Sequence, residues 1–310
     1  MNDSNKIILY QAYGLSYIYN QVLFSILTLH HHLQADFKGI KVVIYTDKPG
    51  VFLKYSKEIP ITTELLSKEM LSKYKGELDF VHRVKICIIQ DCFTKYKSDI
   101  FYLDSDTYFT KSPHLLLKKI NSGTSIMNSD DYDLLSADDL YENKDWLLIR
   151  RAIRGFNYTV ENTLVKIPLT TRMWNAGVIG MSIQNEKLLN LVLELCDQIY
   201  ANKKVFTAEQ FAFSYYLQNK TQLVTSEDVI FHYWKYFKPF NWREIYTYHF
   251  KIFFKRFKKV SIKEQALEAY KLTLQHDQLK VPKKTFGDKI INRLDKVAQV
   301  VIKGKIKTSI

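Results

Sequence analysis

The most constraining feature of this sequence is an apolar stretch that ends abruptly in two carboxylates. It runs from Phe101 to Thr110 as Phe-Tyr-Leu-Asp-Ser-Asp-Thr-Tyr-Phe-Thr, with Asp104 and Asp106 in the middle. A buried strand does not end in this way unless a cation lies at its tip, because burying unpaired charge is unfavourable. Along an extended chain, side chains two apart point to the same side, with Cα atoms about 7 Å apart. The pattern therefore predicts a strand end at which Asp104 and Asp106 share one divalent metal ion.

The preceding part of the chain predicts an α/β fold. Residues 6–10 and 41–45 are short apolar and β-branched segments, and residues 17–33 between them carry apolar residues at helical spacing. Strand, helix and strand at these lengths form a right-handed βαβ unit with parallel strands. Residues 51–78 are predicted to be helical. Residues 80–93 are predicted to form a mostly apolar helix before the strand that ends at Asp104 and Asp106. In such open sheets, ligands bind outside the carboxyl ends of the strands, where Asp104 and Asp106 fall.

The following part of the chain supplies further elements of the same kind. Residues 171–181 are predicted to be a buried strand, and Asn175-Ala-Gly inside it indicates close approach of a ligand or another backbone. An amphipathic helix covers residues 188–200. A second helix begins at Thr207, which is expected to cap it and to leave Glu209 and Gln210 in its first turn. A late strand is predicted over residues 223–230.

Charge is distributed unevenly along the 310 residues. From Lys251 to the end there are 16 Lys and Arg against 5 Asp and Glu, so most of the net charge of +13 lies in the last 60 residues. We therefore predict two units, a catalytic domain at 1–245 and a basic helical appendage at 246–310. Residues 250–310 interleave cations with Phe and Ile, a pattern typical of contact with anionic lipid head groups. A solvated helical subdomain is the alternative.

Cysteine usage and hydropathy bear on the compartment. The three cysteines, Cys87, Cys92 and Cys196, have no metal-ligand spacing and cannot all pair, which favours a reducing environment. No run of 18 or more uninterrupted apolar residues is present, so no transmembrane helix is predicted. We expect a cytoplasmic protein, with peripheral attachment to the inner face of the cell membrane as a further hypothesis.

Five motifs, in order over roughly residues 5 to 240, resemble the GT-A glycosyltransferases. The likeness is greatest to the retaining family that includes glycogenin and the bacterial lipopolysaccharide galactosyl- and glucosyltransferases. The motifs are Arg83-Val-Lys85, Tyr102-Leu-Asp-Ser-Asp106, Asn175-Ala-Gly-Val178, Glu209-Gln210, and His232 followed by Lys238-Pro239. Two positions depart from the family pattern, since Glu209 replaces an Asp and Lys235 replaces a Gly.

The resemblance implies a GT-A fold, a Rossmann-like mixed sheet flanked by helices, and a role for each matching residue. The implied cofactors are Mn²⁺ (or Mg²⁺) and a nucleotide-sugar donor carrying UDP. The implied metal ligands are Asp104, Asp106 and His232, and the implied catalytic residues are Glu209 and Gln210. The implied donor-binding residues are Gln11, Ala12 and Asp47 near the base and ribose, Arg83 and Asn175 at the sugar hydroxyls, Lys238 at the β-phosphate, and also Lys85, Ser105 and Ala176.

The implied activity is metal-dependent hexosyl transfer with retention to a saccharide or lipid-linked acceptor, in cell-surface polysaccharide biosynthesis. A sugar-phosphate nucleotidyltransferase is one alternative, although residues 10–14 lack the Gly-rich basic loop that such enzymes need after the first strand. A non-catalytic protein that binds a sugar nucleotide or an anionic surface is another. No nucleic-acid recognition motif is present, and no nucleic-acid partner is expected. Four single residues have alternative interpretations. His232 is alternatively a packed core histidine, Arg83 a surface cation and Asn175 a strand-bulge residue, and Glu209 alternatively only complements the helix dipole.

Overall fold

The structure, a computed structural model, describes residues 6–134, 144–233, 242–275 and 279. The strands are β1 (Lys6–Ala12), β2 (Ile40–Thr46), β3 (Ile61–Leu65), β4 (Asp99–Leu103), β5 (Thr107–Phe109), β6 (Thr124–Met127), β7 (Asp130–Asp133), β8 (Tyr158–Val160), β9 (Thr163–Val165), β10 (Arg172–Trp174), β11 (Val178–Met181), β12 (Gln222–Thr225) and β13 (Ile230–His232). The helices are α1 (Ser16–His32), α2 (Lys68–Lys75), α3 (Arg83–Tyr96), α4 (His114–Leu117), α5 (Lys144–Gly155), α6 (Leu188–Lys203), α7 (Ala208–Lys220), α8 (Trp242–Arg256) and α9 (Ile262–Leu274).

The centre of the fold is a seven-stranded mixed sheet in the order β12-β6-β11-β4-β1-β2-β3. Strands β4, β1, β2 and β3 are parallel to one another, as the predicted βαβ unit requires. Strand β11 runs antiparallel to both of its neighbours, β4 and β6. The predicted α/β architecture with a mixed sheet is confirmed, and the antiparallel β11 lies directly beside the strand that carries the two carboxylates.

Alternation along β1 divides the core into two layers. Ile7 and Leu9 point to one face of the sheet, where α3, α6 and α7 pack. Ile8, Tyr10 and Ala12 point to the opposite face, which α1, α8 and α9 cover. Because both faces are covered, the central strands are apolar at almost every position rather than at every second one.

The helices after residue 241 pack against α1 in the second of these layers. Tyr246, Phe250 and Phe253 on α8 are buried, and the Phe250 ring stacks on the Phe24 ring with centroids 4.1 Å apart. Helix α8 spans the predicted boundary at 245, and the division into 1–245 and 246–310 stays a prediction. Most of the basic tail, residues 276–278 and 280–310, lies outside the described residues. Within the described ranges, no helix is both long enough and apolar enough to cross a membrane.

Three secondary-structure predictions are wrong. The late strand predicted over residues 223–230 is two strands, since β12 pairs with β6 in the main sheet and β13 pairs with β5. Residues 51–78 are not helical throughout, because residues 61–65 form β3, which pairs with β2 at the edge of the sheet. Only short helical turns before β3 and helix α2 after it are helical. The predicted strand at 171–181 is two strands, β10 and β11, separated by Asn175-Ala-Gly. Strand β10 pairs with β7, whereas β11 belongs to the main sheet. The interruption places Asn175 and its neighbours beside the end of β4.

Candidate active site

The two carboxylates lie in a turn between β4 and β5. The backbone N–H of Asp104 donates to the carbonyl of Gly177 at 2.8 Å, which continues the pairing of β4 with β11. The hydroxyl of Thr107 donates to the carbonyl of Asp104 at 2.8 Å and closes the turn. The expectation of an extended Asp-Ser-Asp segment is therefore wrong. The predicted closeness of the two carboxylates nevertheless holds, because the turn directs both toward His232.

His232 reaches this turn through strand pairing. Strand β13 pairs antiparallel with β5, and His232 lies opposite Thr107, the residue after Asp106. Its Nε2 atom is 3.3 Å from Oδ1 of Asp106. Single potential ligand atoms of Asp104, Asp106 and His232 all lie within 4.8 Å of one another. The pairing of β13 with β5 thus brings His232 close to Asp106, more than a hundred positions away in the sequence.

This donor set fits a divalent metal ion. Carboxylate oxygens suit Mg²⁺ and Mn²⁺, and an imidazole in addition favours Mn²⁺. Among the residues that the structure describes, no other group of three His, Cys, Asp or Glu side chains has donor atoms this close together. His232 is buried, and the two carboxylates are partly buried. The identity of the metal remains a prediction.

Lys85 connects the carboxylate turn to helix α7. Its Nζ atom lies 3.1 Å from Oδ2 of Asp104 and 3.1 Å from Oε1 of Glu209, and it donates to the carbonyl of Ala176 at 2.9 Å. Its side chain is only 4% exposed. Burial by itself lowers the pKa of Lys85, but the carboxylates of Asp104 and Glu209 outweigh burial and raise this pKa above its ordinary value. Lys85 is therefore a permanent cation that links two acidic residues.

Glu209 and Gln210 occupy the first turn of α7, as predicted. Burial raises the pKa of Glu209 to about 7, while Lys85 acts in the opposite direction. Thr207 stands at the cap position, but its hydroxyl makes no capping hydrogen bond, so that part of the expectation is wrong. A buried carboxyl group with a pKa near neutrality, beside a fixed cation, suits a residue that takes part in a reaction.

A cavity of about 380 Å³ opens beside the carboxylate turn. Nine of the predicted site residues line it: Gln11, Lys85, Asp104, Ser105, Asp106, Asn175, Glu209, Gln210 and His232. Tyr102 lies behind the cavity wall, and its hydroxyl donates to Oδ1 of Asp104 at 2.7 Å. One cavity is thus lined by residues of the turn between β4 and β5 and of β13, which supply the candidate metal ligands, and of α7, which supplies the candidate catalytic residues.

The other predicted site residues have different positions. Arg83 does not line the cavity, and its Nε donates to both carboxylate oxygens of Asp197 on α6 at 2.8 and 3.0 Å. Asp47 accepts hydrogen bonds from the hydroxyl of Tyr19 and the N–H of Gly14. Ala12 and Ala176 are buried, and the carbonyl of Ala176 accepts a hydrogen bond from Nζ of Lys85. Lys238, with Lys235 and Pro239, lies outside the described residues. The assignment of these residues to donor binding stays a prediction.

Seven further residues line the cavity and are absent from the predicted set, among them His82, Phe206 and Tyr13. Burial lowers the pKa of His82 to about 4, and Lys85 acts in the same direction. Its ring meets the edge of Phe206 with centroids 4.0 Å apart. Burial, followed by the charge of Asp104, raises the pKa of Tyr13 to about 12. His82 adjoins Arg83-Val-Lys85 and Phe206 precedes Glu209-Gln210, so proximity to the motifs is a signal that would have found both.

No protein-family model and no curated protein matches this sequence. Several solved structures are similar to the chain, at low sequence identity. The galactosyltransferase LgtC, in complex with donor and acceptor sugar analogs, is 11% identical over 71% of this chain and 73% of that chain, with a TM-score of 0.46. Mouse xyloside xylosyltransferase 1 is 10% identical over 71% and 84%, with a TM-score of 0.46. The glycosyltransferase GlyE of Streptococcus pneumoniae TIGR4 is 13% identical over 91% and 66%, with a TM-score of 0.49. All three of these proteins are glycosyltransferases.

Proposed function

We propose that this protein is a metal-dependent glycosyltransferase of the GT-A type that uses a nucleotide-diphosphate sugar. The observation that carries the proposal is the closeness of Asp104, Asp106 and His232, which line one cavity and whose potential ligand atoms lie within 4.8 Å of one another. A bound divalent ion would neutralise the negative charge that develops on a nucleoside diphosphate leaving group. Each of the five sequence motifs contributes at least one residue to the lining of this cavity, which supports the same function.

The proposed donor is a UDP-hexose. Gln11 lies at the end of β1 and lines the cavity, and its Oε1 atom is buried without a hydrogen-bond partner among the described residues. Buried acceptors are rarely left unpaired, so this atom suits an N–H or O–H group of the base or ribose. The family resemblance implies that Lys238 contacts the β-phosphate of this donor, and we keep that role as part of the proposal.

The chemical step is assigned to residues of α7. Lys85 holds Glu209 and Asp104 in fixed positions through its two ion pairs of 3.1 Å each. We propose that Glu209 or Gln210 stabilises the oxocarbenium-like state at the anomeric carbon or acts as its nucleophile, with retention of configuration. Glu209 is effective for this purpose in its ionised form, because a negative charge or an unprotonated oxygen is what the cationic carbon requires.

The proposed acceptor is a saccharide or a lipid-linked glycan, and the outer face of α8 supports a membrane location for it. Tyr248, Lys251, Ile252 and Lys255 are exposed and follow helical spacing along one side of this helix. Cations interleaved with exposed apolar groups suit an anionic lipid surface, with each cation contributing about 1 kcal/mol. We propose peripheral attachment through this face together with the basic tail.

Calorimetry with a panel of nucleotide sugars, with and without Mn²⁺, tests the proposed function. We expect one UDP-sugar to bind only in the presence of metal, and Asp106→Ala to abolish that binding. Asp228→Ala, at an exposed carboxylate outside the site, is the matched control and should bind as the wild type does. The proposal fails if no nucleotide sugar binds, or if binding is insensitive to both the metal and Asp106→Ala.

The same experiment can be extended to the reaction class. Incubation of the bound nucleotide sugar with acceptor mixtures should release UDP. With pyrophosphate in place of the acceptor, formation of UTP and sugar 1-phosphate would instead identify a nucleotidyltransferase and contradict the proposed transfer.

A further inference from the structure

The segment Asn175-Ala-Gly177 lies against the candidate metal ligands and makes a defined set of contacts with them. Oδ1 of Asn175 accepts a hydrogen bond from the backbone N–H of Gly177 at 2.9 Å. A backbone N–H can only donate, so the atom that faces it must be the oxygen of the amide group. This contact fixes the orientation of the Asn175 amide independently of its other neighbours.

The same oxygen faces the imidazole ring of His232. Oδ1 of Asn175 and Nδ1 of His232 are 2.9 Å apart, and both side chains are buried. Because an amide oxygen only accepts, Nδ1 must carry a hydrogen. The neutral ring therefore has its lone pair on Nε2, the nitrogen that lies 3.3 Å from Oδ1 of Asp106. This is the tautomer in which Nε2 can act as a metal ligand on the same side as the two carboxylates.

Gly177 contributes through its missing side chain and through its carbonyl group. A Cβ atom at this position would lie 2.2 Å from Cε1 of His232, a distance that no side chain can occupy. The ring of His232 therefore packs directly on the backbone of Gly177. The carbonyl of Gly177 accepts the N–H of Asp104 at 2.8 Å. One short segment thus contacts two of the three candidate ligands.

We propose that Asn175 and Gly177 are positioning residues that fix the tautomer and the ring position of His232 and the place of Asp104. The inference rests on the proposed metal site, and it concerns Oδ1 of Asn175 rather than the predicted contact of this residue with the donor sugar. Hydrogen-bond partners of metal-ligating histidines commonly contribute 10- to 100-fold to metal affinity, at the order-of-magnitude level. The segment therefore acts on the metal through its ligands.

The tautomer is tested by long-range ¹H–¹⁵N NMR of the full-length protein in metal-free buffer at pH 8, with His232→Ala to assign the signal. We expect the wild-type His232 ring to be protonated at Nδ1. Asn175→Asp keeps an oxygen acceptor and should retain this tautomer, whereas Asn175→Ala should shift the population toward the Nε2–H form. A wild-type ring protonated at Nε2, or a ring unaffected by Asn175→Ala, overturns the proposal.

Metal affinity gives a second measurement. Mn²⁺ binding, followed by electron paramagnetic resonance without nucleotide, should weaken about 10- to 100-fold in Asn175→Ala. The matched control is Asn121→Ala, because Oδ1 of Asn121 also accepts the N–H of a glycine two residues on, at 2.8 Å, but on the surface. We expect that control to bind Mn²⁺ as the wild type does.

A double-mutant cycle separates this role from others. In the His232→Ala background, Asn175→Ala should cause no further loss of Mn²⁺ affinity, because its effect passes through the histidine. Gly177→Ala should match His232→Ala in affinity. A full additional loss from Asn175→Ala in that background contradicts the positioning role. If the wild type binds no Mn²⁺ without nucleotide, the NMR measurement still decides the tautomer, and the calorimetry with nucleotide sugars decides the proposed function.

Discussion

Lys85 and Arg83 are two cations from the same helix that end in different environments. Lys85 is 4% exposed and lies within the candidate site, between Asp104 and Glu209. The side chain of Arg83 is 18% exposed and pairs with Asp197 on α6, outside the cavity. Its Nη1 group also donates to the carbonyl of Tyr74 at the end of α2 at 2.8 Å. Arg83 therefore links three helices, whereas Lys85 links two acidic residues of the site.

Helix geometry explains the difference. A step of two residues turns the side-chain direction by about 200°, so Arg83 and Lys85 point in different directions from a regular helix. The Arg-x-Lys motif thus combines one residue that contacts the site with one that packs α3 against its neighbours. Removing Lys85 leaves the buried Glu209 and the partly buried Asp104 without their cation, while removing Arg83 affects a partly exposed ion pair.

The largest expected effect is on stability, from Lys85→Met. Removing one partner of a buried ion pair lowers the free energy of unfolding by about 3–5 kcal/mol. We expect a loss of this size in urea denaturation at pH 8, and a smaller loss at pH 5.5, where the carboxyl of Glu209 is protonated and needs no cation. Lys95→Met on the same helix is the matched control, since Lys95 pairs with Glu64 and Asp91 at the surface. An equal loss of unfolding free energy in the two variants would contradict the distinction between a buried and a surface lysine.

The next effect is on the pH dependence of activity. Burial raises the pKa of Glu209 from its ordinary value of 4.5 to about 7. The ionised form is therefore lost as the pH falls through 7, and it is fully present only above that value. If the ionised form is the active one, the rate of transfer should fall about tenfold between pH 8 and pH 6. Initial rates at saturating donor check this expectation.

Two variants test whether Glu209 is the group responsible for this pH dependence. Glu209→Gln should lower the rate and remove the inflection near pH 7, whereas Asp197→Asn should keep the wild-type pH profile. An unchanged profile in Glu209→Gln would assign the inflection to another group.

The smallest effect is expected at the Arg83–Asp197 pair. Exposed or partly exposed ion pairs contribute about 0.2–1 kcal/mol to stability. Arg83→Met and Asp197→Asn should each lower the free energy of unfolding within this range, and the double variant should lose less than the sum of the two. The predicted contact of Arg83 with donor-sugar hydroxyls is tested alongside. If it exists, Arg83→Met weakens binding of the UDP-sugar but leaves UDP binding unchanged, and Asp197→Asn does not reproduce this selectivity.

Local patterns were sufficient to predict much of the fold and of the site. The alternation and β-branching of residues 6–10 and 41–45, with a helical period between them, predicted the parallel unit formed by β1, α1 and β2. The abrupt end of an apolar strand at Asp104 and Asp106 predicted the position of the carboxylates at the end of β4. These features are determined by residues close together in sequence, whose spacing alone decides which way they point.

Strand β3 and the break at Asn175 could not be predicted in the same way. Residues 61–65 are only partly buried, so their pattern lacks the apolar run that marks a central strand. Their pairing with β2 depends on an open sheet edge. Similarly, the separation of β10 from β11 depends on β7, which takes β10 as its partner. Each element needs a neighbour from elsewhere in the chain, which no local pattern contains.

The sequence alone determined that two carboxylates end a buried strand and that a cation should lie there. Only the tertiary structure decided which distant groups join them: His232 through the pairing of β13 with β5, and Lys85 through the packing of α3. It also decided that Asn175 and Gly177 contact the histidine ring. The physical reason is that side-chain direction within one element follows from its own period, whereas contacts between elements depend on sheet order and register, which the whole chain sets.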